Sequence, residues 1–381
     1  MSLFGDETIE DDFEEGSDSV LLTPGKENGL QSPQQSNFFI SHEEVENNIL
    51  SLWNSGRMPH ALIFNGIKGI GKATFAYRLA RFILKESGAT NSGGLFGDET
   101  APEILDIPSD HTVFSKIASG GHPDLFTVSR PFDEKTGQFK NDIPVDDIRK
   151  VAPFLRKTSS DGGWRVVIID DANLMNRNGQ NALLKILEEP PKNALLILVT
   201  HGAGGLLPTI RSRCRFIPFN TLNEEALGTL LEKASEMSIM PGDKDVLMAM
   251  SEGSAGQAIE LMNEGGIEAA TILLGALGNI SNMTENQIDT LALSYGKSGD
   301  KKIIEKFTFI IDWWLDTVIN MAVHNETNRQ IGVIEIARPK DHGLHSLLRL
   351  KEDIDNHIRT CLNGNLDKRY MIYKTLRMIQ K

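Results

Sequence analysis

A strand, a glycine loop and a helix follow one another between Ala61 and Leu84, and that order limits what the chain can become. The apolar run Ala61-Leu-Ile-Phe64 leads into Gly66-Ile-Lys-Gly-Ile-Gly-Lys-Ala73 and then Thr74. Behind it, Phe75, Leu79, Phe82 and Ile83 recur at the spacing of a buried helical stripe. This is the outline of a P-loop. A glycine-rich turn lets successive backbone N–H groups converge on phosphate oxygens, and the helix behind adds the positive end of its dipole. Gly66, Gly69 and Gly71 would shape the cradle, and Lys72 would reach the outer phosphates. The next position should carry a hydroxyl for magnesium and is Ala73. Thr74 stands one residue later, about 100° further round a helix, turned away from the metal. The loop reads as a phosphate holder poorly equipped for magnesium-dependent hydrolysis. The bland alternative is a strand–helix turn that binds nothing.

Downstream, strands and helices alternate. Leu125-Phe-Thr-Val128 reads as a strand after Gly120-Gly121-His122-Pro123-Asp124, and Asp146 to Leu155 as a helix. Trp164-Arg-Val-Val-Ile-Ile-Asp170-Asp171 reads as a buried parallel strand ending in two carboxylates. In P-loop proteins such acids hold a magnesium-bound water or polarise the attacking one; simple helix capping by Asp171 is the alternative. Asn178 to Glu189 predicts a helix stopped by Pro190-Pro191. Ala194 to Thr200 predicts a second buried strand, and Arg215 to Pro218 a short one. The expectation is an α/β domain with a mostly parallel sheet over residues 38–220. Residues 86–121 read as a polar insertion. Ser41 caps the first helix, and Thr221 with a glutamate three residues on resembles a capping box. From there to Lys381 the patterns are helical only, giving a small lid over 221–275 and an all-α collar over 276–381.

Charge and cysteine usage narrow the function classes. The first 30 residues hold nine acids against Lys26, a net of −8 out of −13. Residues 1–37 lack apolar periodicity and read as a disordered acidic tail. The body is only mildly acidic, which argues against strong independent binding of nucleic acid. Cys214 and Cys361 are far apart in the sequence and suggest neither a disulfide framework nor a zinc cluster. They fit a cytoplasmic location. The N-terminus has no signal-peptide pattern and no apolar run reaches membrane-span length.

Several pieces together resemble a known family. Met58-Pro-His-Ala61 before Gly69-Ile-Gly-Lys-Ala-Thr-Phe-Ala-Tyr-Arg-Leu-Ala80, then Gly121-His-Pro-Asp124, Ile169-Asp-Asp-Ala-Asn-Leu-Met-Asn176, Asn181-Ala-Leu-Leu-Lys-Ile-Leu-Glu-Glu-Pro-Pro191 and Ser212-Arg-Cys214 run in the order of the delta-prime subunit family of bacterial DNA polymerase III clamp loaders, a branch of the AAA+ proteins. The resemblance covers residues 45–220; the helical remainder matches in architecture only. It implies a hetero-oligomeric ring of clamp-loader subunits, acting with a sliding clamp and, through the complex, primed DNA. It implies ATP as the ligand, weakly held or not hydrolysed, with Gly66, Gly69, Gly71, Lys72, Ala73, Thr74, Asp170, Asp171 and Thr200 around it. Arg213 would be an arginine finger reaching ATP in a neighbouring subunit. The departures are informative. Ala73 lacks the hydroxyl, Asp171 stands where an active ATPase of this class has a glutamate, and Gln257 replaces a sensing arginine. The four-cysteine zinc module of many relatives has no cysteines here, so no zinc or other metal is expected.

Two readings stay open. In the first, the chain assists hydrolysis next door and contributes little ATPase, while nucleotidyl transfer belongs to the polymerase holoenzyme. In the second, Lys72, Asp170 and Asp171 serve a catalytically active AAA+ ATPase. Ala73 and Gln257 argue against the second. A nucleotide kinase would need an arginine-rich acceptor lid, which the region after the loop helix lacks.

Overall fold

The computed structural model describes residues 32–37, 39, 42–89, 101–133, 138–160, 163–234, 241–296, 301–332, 334–339, 343–364 and 366–380. Helix α1 (Glu43–Asn54) precedes β1 (Ala61–Asn65), the glycine loop and α2 (Lys72–Ala89). Then come α3 (Thr112–Ala118), β2 (Leu125–Val128), the short strands β3 (Phe132–Asp133) and β4 (Gln138–Phe139), α4 (Val145–Arg149), α5 (Val151–Arg156) and β5 (Arg165–Ile169). Helix α6 (Arg177–Glu188), β6 (Ala194–Thr200), α7 (Pro208–Arg211) and β7 (Arg215–Pro218) complete the α/β part.

Five strands form one parallel sheet in the order β2-β5-β6-β1-β7. Period-two alternation divides its side chains between two cores. Leu62, Phe64, Ile168 and Ile197 face α1 and α2, packing with Ile49, Phe75, Leu79 and Phe82. Ile63, Val167, Ile169 and Leu198 face the other way, toward Ile148, Val151, Leu183 and Ile186. Because both faces of the central strands β1, β5 and β6 are covered, these read as nearly continuous apolar runs, whereas the edge strand β7 is largely exposed. Parallel strands bring all their carboxyl ends to one edge, so the loop after β1, the acids after β5 and the residue after β6 meet there.

The helical part comprises α8 (Glu224–Ala234), α9 (Pro241–Ser251), α10 (Ala255–Met262), α11 (Gly266–Gly278), α12 (Glu285–Gly296), α13 (Lys301–Val323), α14 (Leu344–Asn363) and α15 (Lys368–Gln380). One hydrophobic core runs through it from Leu222 to Ile379 and is centred on Trp314 and Phe307. None of the described helices is long and apolar enough to cross a membrane.

Several sequence expectations are corrected. The region after 221 is not all helix: β8 (Asn328–Ile331) and β9 (Ile334–Ala337) form an antiparallel hairpin, and its Ile334 and Ile336 enter the helical core. The cap of α8 is Asn223, whose Oδ1 accepts from Ala226 N–H at 2.8 Å, in place of Thr221. The N-cap of α1 is His42, and Ser41 lies outside the described residues. The helix expected over 146–155 is two, α4 and α5. The insertion over 86–121 is polar only in part, since Leu105 and Ile107 are buried and α3 lies within it. The boundary drawn at residue 275 falls inside α11.

Candidate nucleotide site

The glycine loop is held as a preformed ring of peptide planes. Five consecutive carbonyls are each taken by a donor of the protein. Ile67 O accepts from Lys72 Nζ at 2.5 Å and Lys68 O from Ser254 Oγ at 2.8 Å. Gly69 O accepts from Gly256 N–H at 2.9 Å, Ile70 O from His42 Nε2 at 3.0 Å, and Gly71 O from Phe75 N–H at 2.9 Å. A trans peptide points its N–H opposite to its C=O, so a loop whose carbonyls are all engaged leaves its N–H edges for an anion. Gly69 has φ +81° and a Cβ there would meet Ser254 Oγ at 2.4 Å, so glycine is required twice over. Burial depresses the His42 ring below the ordinary histidine value, the Ile70 hydrogen bond opposes this, and the Lys72 charge adds to the depression.

A cavity of about 350 Å³ opens on this loop. Lys68, Gly69, Ile70, Gly71, Lys72, Ala73 and Thr74 line one side and Asp170, Asp171 and His201 another. The helical part contributes Leu230, Ala255 and Gly256, and the N-terminal segment Pro33, Ser36 and Phe39. That segment is a turn over Ser32–Ser36, strapped down by Arg81 on α2. The Arg81 guanidinium donates to the carbonyls of Pro33, Gln34 and Ser36 at 3.4, 2.8 and 2.9 Å and lies 4.3 Å from the Phe114 ring centroid. Burial, reinforced by Arg78, lowers its pKa to about 10.

The charged groups inside are linked in a chain. Lys72 is buried at 3% exposure, and its Nζ lies 3.1 Å from His201 Nδ1. An ammonium only donates, so Nδ1 accepts, and Nε2 carries the ring proton and donates it to Asp171 Oδ1. Arg130 Nε donates to Asp171 Oδ2 at 2.9 Å. Asp171, at φ +53°, gives its own N–H to Asp170 Oδ1 at 3.0 Å. Burial lowers the Lys72 pKa to about 8 against the raising influence of Asp170 and Asp171. Burial, then the Asp171 charge, pushes the Asp170 carboxyl above the ordinary range. Burial would also push Asp171 up, but His201 and Arg130 outweigh it and hold that carboxyl below the ordinary range.

The structure brings together most of the residues singled out from sequence. Gly69 to Thr74, Asp170 and Asp171 share the cavity. Gly66 does not line it; a Cβ there would meet Phe219 O at 2.5 Å, so this glycine serves close packing below the loop. Thr200 is corrected. It is fully buried and its hydroxyl donates to Asn65 Oδ1 at 2.9 Å, while the following residue, His201, faces the cavity. Arg213 lies elsewhere: its guanidinium donates to Glu188 at 2.8 Å and to Thr209 O at 3.0 Å and is about one-third exposed. Sequence reading missed His201, Arg130 and the 32–36 strap. For His201 the signal was its place as the first residue beyond the apolar strand.

Known relatives match the α/β part. The family described as DNA polymerase III, delta subunit matches residues 41–223. DNA polymerase III subunit delta' of Pseudomonas aeruginosa is 36% identical over 43% of this chain and 45% of its own length. The delta' subunit of Escherichia coli is 31% identical over 60% of this chain and 62% of its own. Over residues 41–223 this chain is similar to the delta-prime subunits of DNA polymerase III. DNA polymerase III subunit gamma of Buchnera aphidicola is also similar, at 27% identity over 66% of this chain and 63% of that one. The alignments thus span roughly half to three-fifths of these relatives, and the family model falls on the α/β part.

A nucleotide fits the loop chemistry of this chain: positive-φ glycines, engaged carbonyls, Lys72 and an apolar wall at Phe39, Ile70 and Leu222. Magnesium does not fit the donors beside it. Ala73 has no hydroxyl and both Asp171 oxygens are committed to cationic or N–H donors.

Proposed function

We propose that this chain is a delta-prime family member and a clamp-loader subunit of DNA polymerase III. It sits in a hetero-oligomeric ring of related subunits and assists ATP-dependent loading of a sliding clamp onto primed DNA. Its own P-loop retains nucleotide weakly and hydrolyses little, and Arg213 completes the ATP site of a neighbour. The helical part after residue 221 joins the α/β domain to the ring.

The observation that carries this reading is the Arg130–Asp171–His201–Lys72 chain. A hydrolytic site needs a free carboxylate to hold the metal or orient water and a lysine free for the γ-phosphate. Here the carboxylate of Asp171 is satisfied by protein groups. Arg213 has the opposite character, a forked cation on an exposed turn, held by a surface pair worth only about 0–1 kcal/mol. Such a guanidinium is readily lent to a phosphate on another subunit.

The test is steady-state ATP hydrolysis by the chain alone and by the reconstituted assembly with clamp and primed DNA, wild type against Arg213→Ala. The expected result is negligible turnover alone and a fall of about 10²-fold or more at one site of the assembly carrying the variant. Robust turnover by the isolated chain would replace this reading with that of an active AAA+ ATPase.

A further inference from the structure

The site holds a second message, about what form of nucleotide it takes. Magnesium is a hard cation that seeks near-octahedral oxygen ligands, reached through one or two carboxylates and the phosphates. Three of the four carboxylate oxygens at the strand end are already engaged. Asp171 Oδ1 receives the His201 Nε2–H, and Oδ2 receives the Arg130 Nε–H at 2.9 Å. Asp170 Oδ1 receives the Asp171 backbone N–H at 3.0 Å. Ala73 supplies nothing, and among the described residues no three His, Cys, Asp or Glu side chains are grouped to hold a metal.

His201 is the pivot of this arrangement. Its backbone N–H is fixed by Asn173 Oδ1 at 3.2 Å, one ring nitrogen by Lys72 and the other by Asp171. The imidazole therefore stands between the loop lysine and the strand-end acid. Positive charge for the phosphates is present without a metal: Lys68 and Lys72 both line the cavity, as do the loop peptides from Lys68 to Lys72.

We infer that this pocket binds a nucleoside di- or triphosphate as the magnesium-free anion, and that His201 and Arg130 enforce this by keeping Asp171 from the metal. The inference rests on the nucleotide reading of the pocket given above. Lys72 is a binding residue in it, whereas His201 and Arg130 are positioning residues that act through Asp171. A site of this kind draws no affinity from the metal. Magnesium in solution competes with the loop for the same phosphate oxygens.

The experiment titrates a fluorescent N-methylanthraniloyl-ADP into the full chain, with anisotropy as readout, in excess EDTA and in excess magnesium. The expected result is a dissociation constant in EDTA equal to, or smaller than, that in magnesium within about twofold. Lys72→Ala abolishes binding in both arms. The double variant Ala73→Thr with His201→Ala restores a hydroxyl and frees Asp171 Oδ1, and its binding tightens by about tenfold on adding magnesium. Tighter wild-type binding in magnesium by about tenfold or more overturns the inference and leaves the nucleotide reading standing. Binding insensitive to Lys72→Ala, or no binding in either arm, overturns both. A double variant still indifferent to magnesium overturns the role given to His201.

Discussion

The N–H of Gly256 donates to the carbonyl of Gly69 across 2.9 Å, so the first turn of α10 is bonded directly to the glycine loop. The two Cα atoms approach so closely that a Cβ on Gly256 would lie 2.8 Å from the Gly69 Cα. Backbone cannot yield as a flexible side chain can. Gly256→Ala is expected to push α10 off the loop at a cost of about 1–3 kcal/mol. Hydrogen exchange checks it: the Gly256 amide should lose protection together with the loop it touches. Unchanged exchange and an unchanged unfolding midpoint would show that the contact carries no energy.

Arg81 should govern the strap over residues 32–36. Its fork replaces water for three carbonyls, and hydrogen bonds to a charged donor are the stronger kind. Arg81→Met keeps most of the stem and loses the bonds, with an expected loss of about 2–3 kcal/mol from the strap. The amides of Gln35 and Ser36, both bonded to Ser32 O, report on it by faster exchange. Arg81→Lys retains the charge without the fork and should fall between the two. Equal exchange in Arg81→Met and wild type would mean that the strap is held by other contacts.

What the sequence discloses, and what it hides, follows from the range of the interactions. The strands were legible because burial on both faces writes continuous apolar runs such as Ala194 to Val199. The loop was legible because its glycines and lysine are local in sequence. His201 was not, because its role depends on Lys72 and Asp171, 129 and 30 residues away. Thr200 misled for a related reason: a hydroxyl at a strand end looks ligand-facing, but Asn65 on the adjacent strand claims it. The β8–β9 hairpin was hidden because only two of its eight residues are buried and the flanking helices dominate the pattern.

Asp124, in the Gly121-His-Pro-Asp124 motif, has a structural part that the motif alone does not reveal. Its carboxylate pairs with Arg165 Nη2 at 3.1 Å and accepts the Ser160 hydroxyl at 2.5 Å and the Ser160 backbone N–H at 3.2 Å. Both charged side chains are buried, and Arg165 also lies 4.8 Å from the Phe154 ring centroid. Asp124→Asn would leave the guanidinium buried without its counter-charge. The expected loss is about 3–5 kcal/mol, read as a lower urea midpoint with an unchanged slope. A loss below about 1 kcal/mol would mean that water reaches the pair and screens it.

Lys72 should give the chain a distinctive alkaline response. Its pKa is about 8 in the fold, because burial outweighs the attraction of Asp170 and Asp171, and about 10.4 in an unfolded chain. Between those values the unfolded state binds more protons at this residue, so stability rises with pH. Below about 8 both states are protonated, and the full cost of the buried ammonium is present. The rise amounts to at most about 3 kcal/mol. Urea midpoints measured from neutral pH to just below the tyrosine range should climb in wild type relative to Lys72→Met, which lacks the group. Parallel profiles would place the ammonium in water instead. An anion on the loop must act in the opposite direction: it favours the protonated lysine, raises its folded pKa and flattens the climb. The same profile repeated with saturating nucleotide therefore reports whether the phosphates reach Lys72, without any turnover being measured.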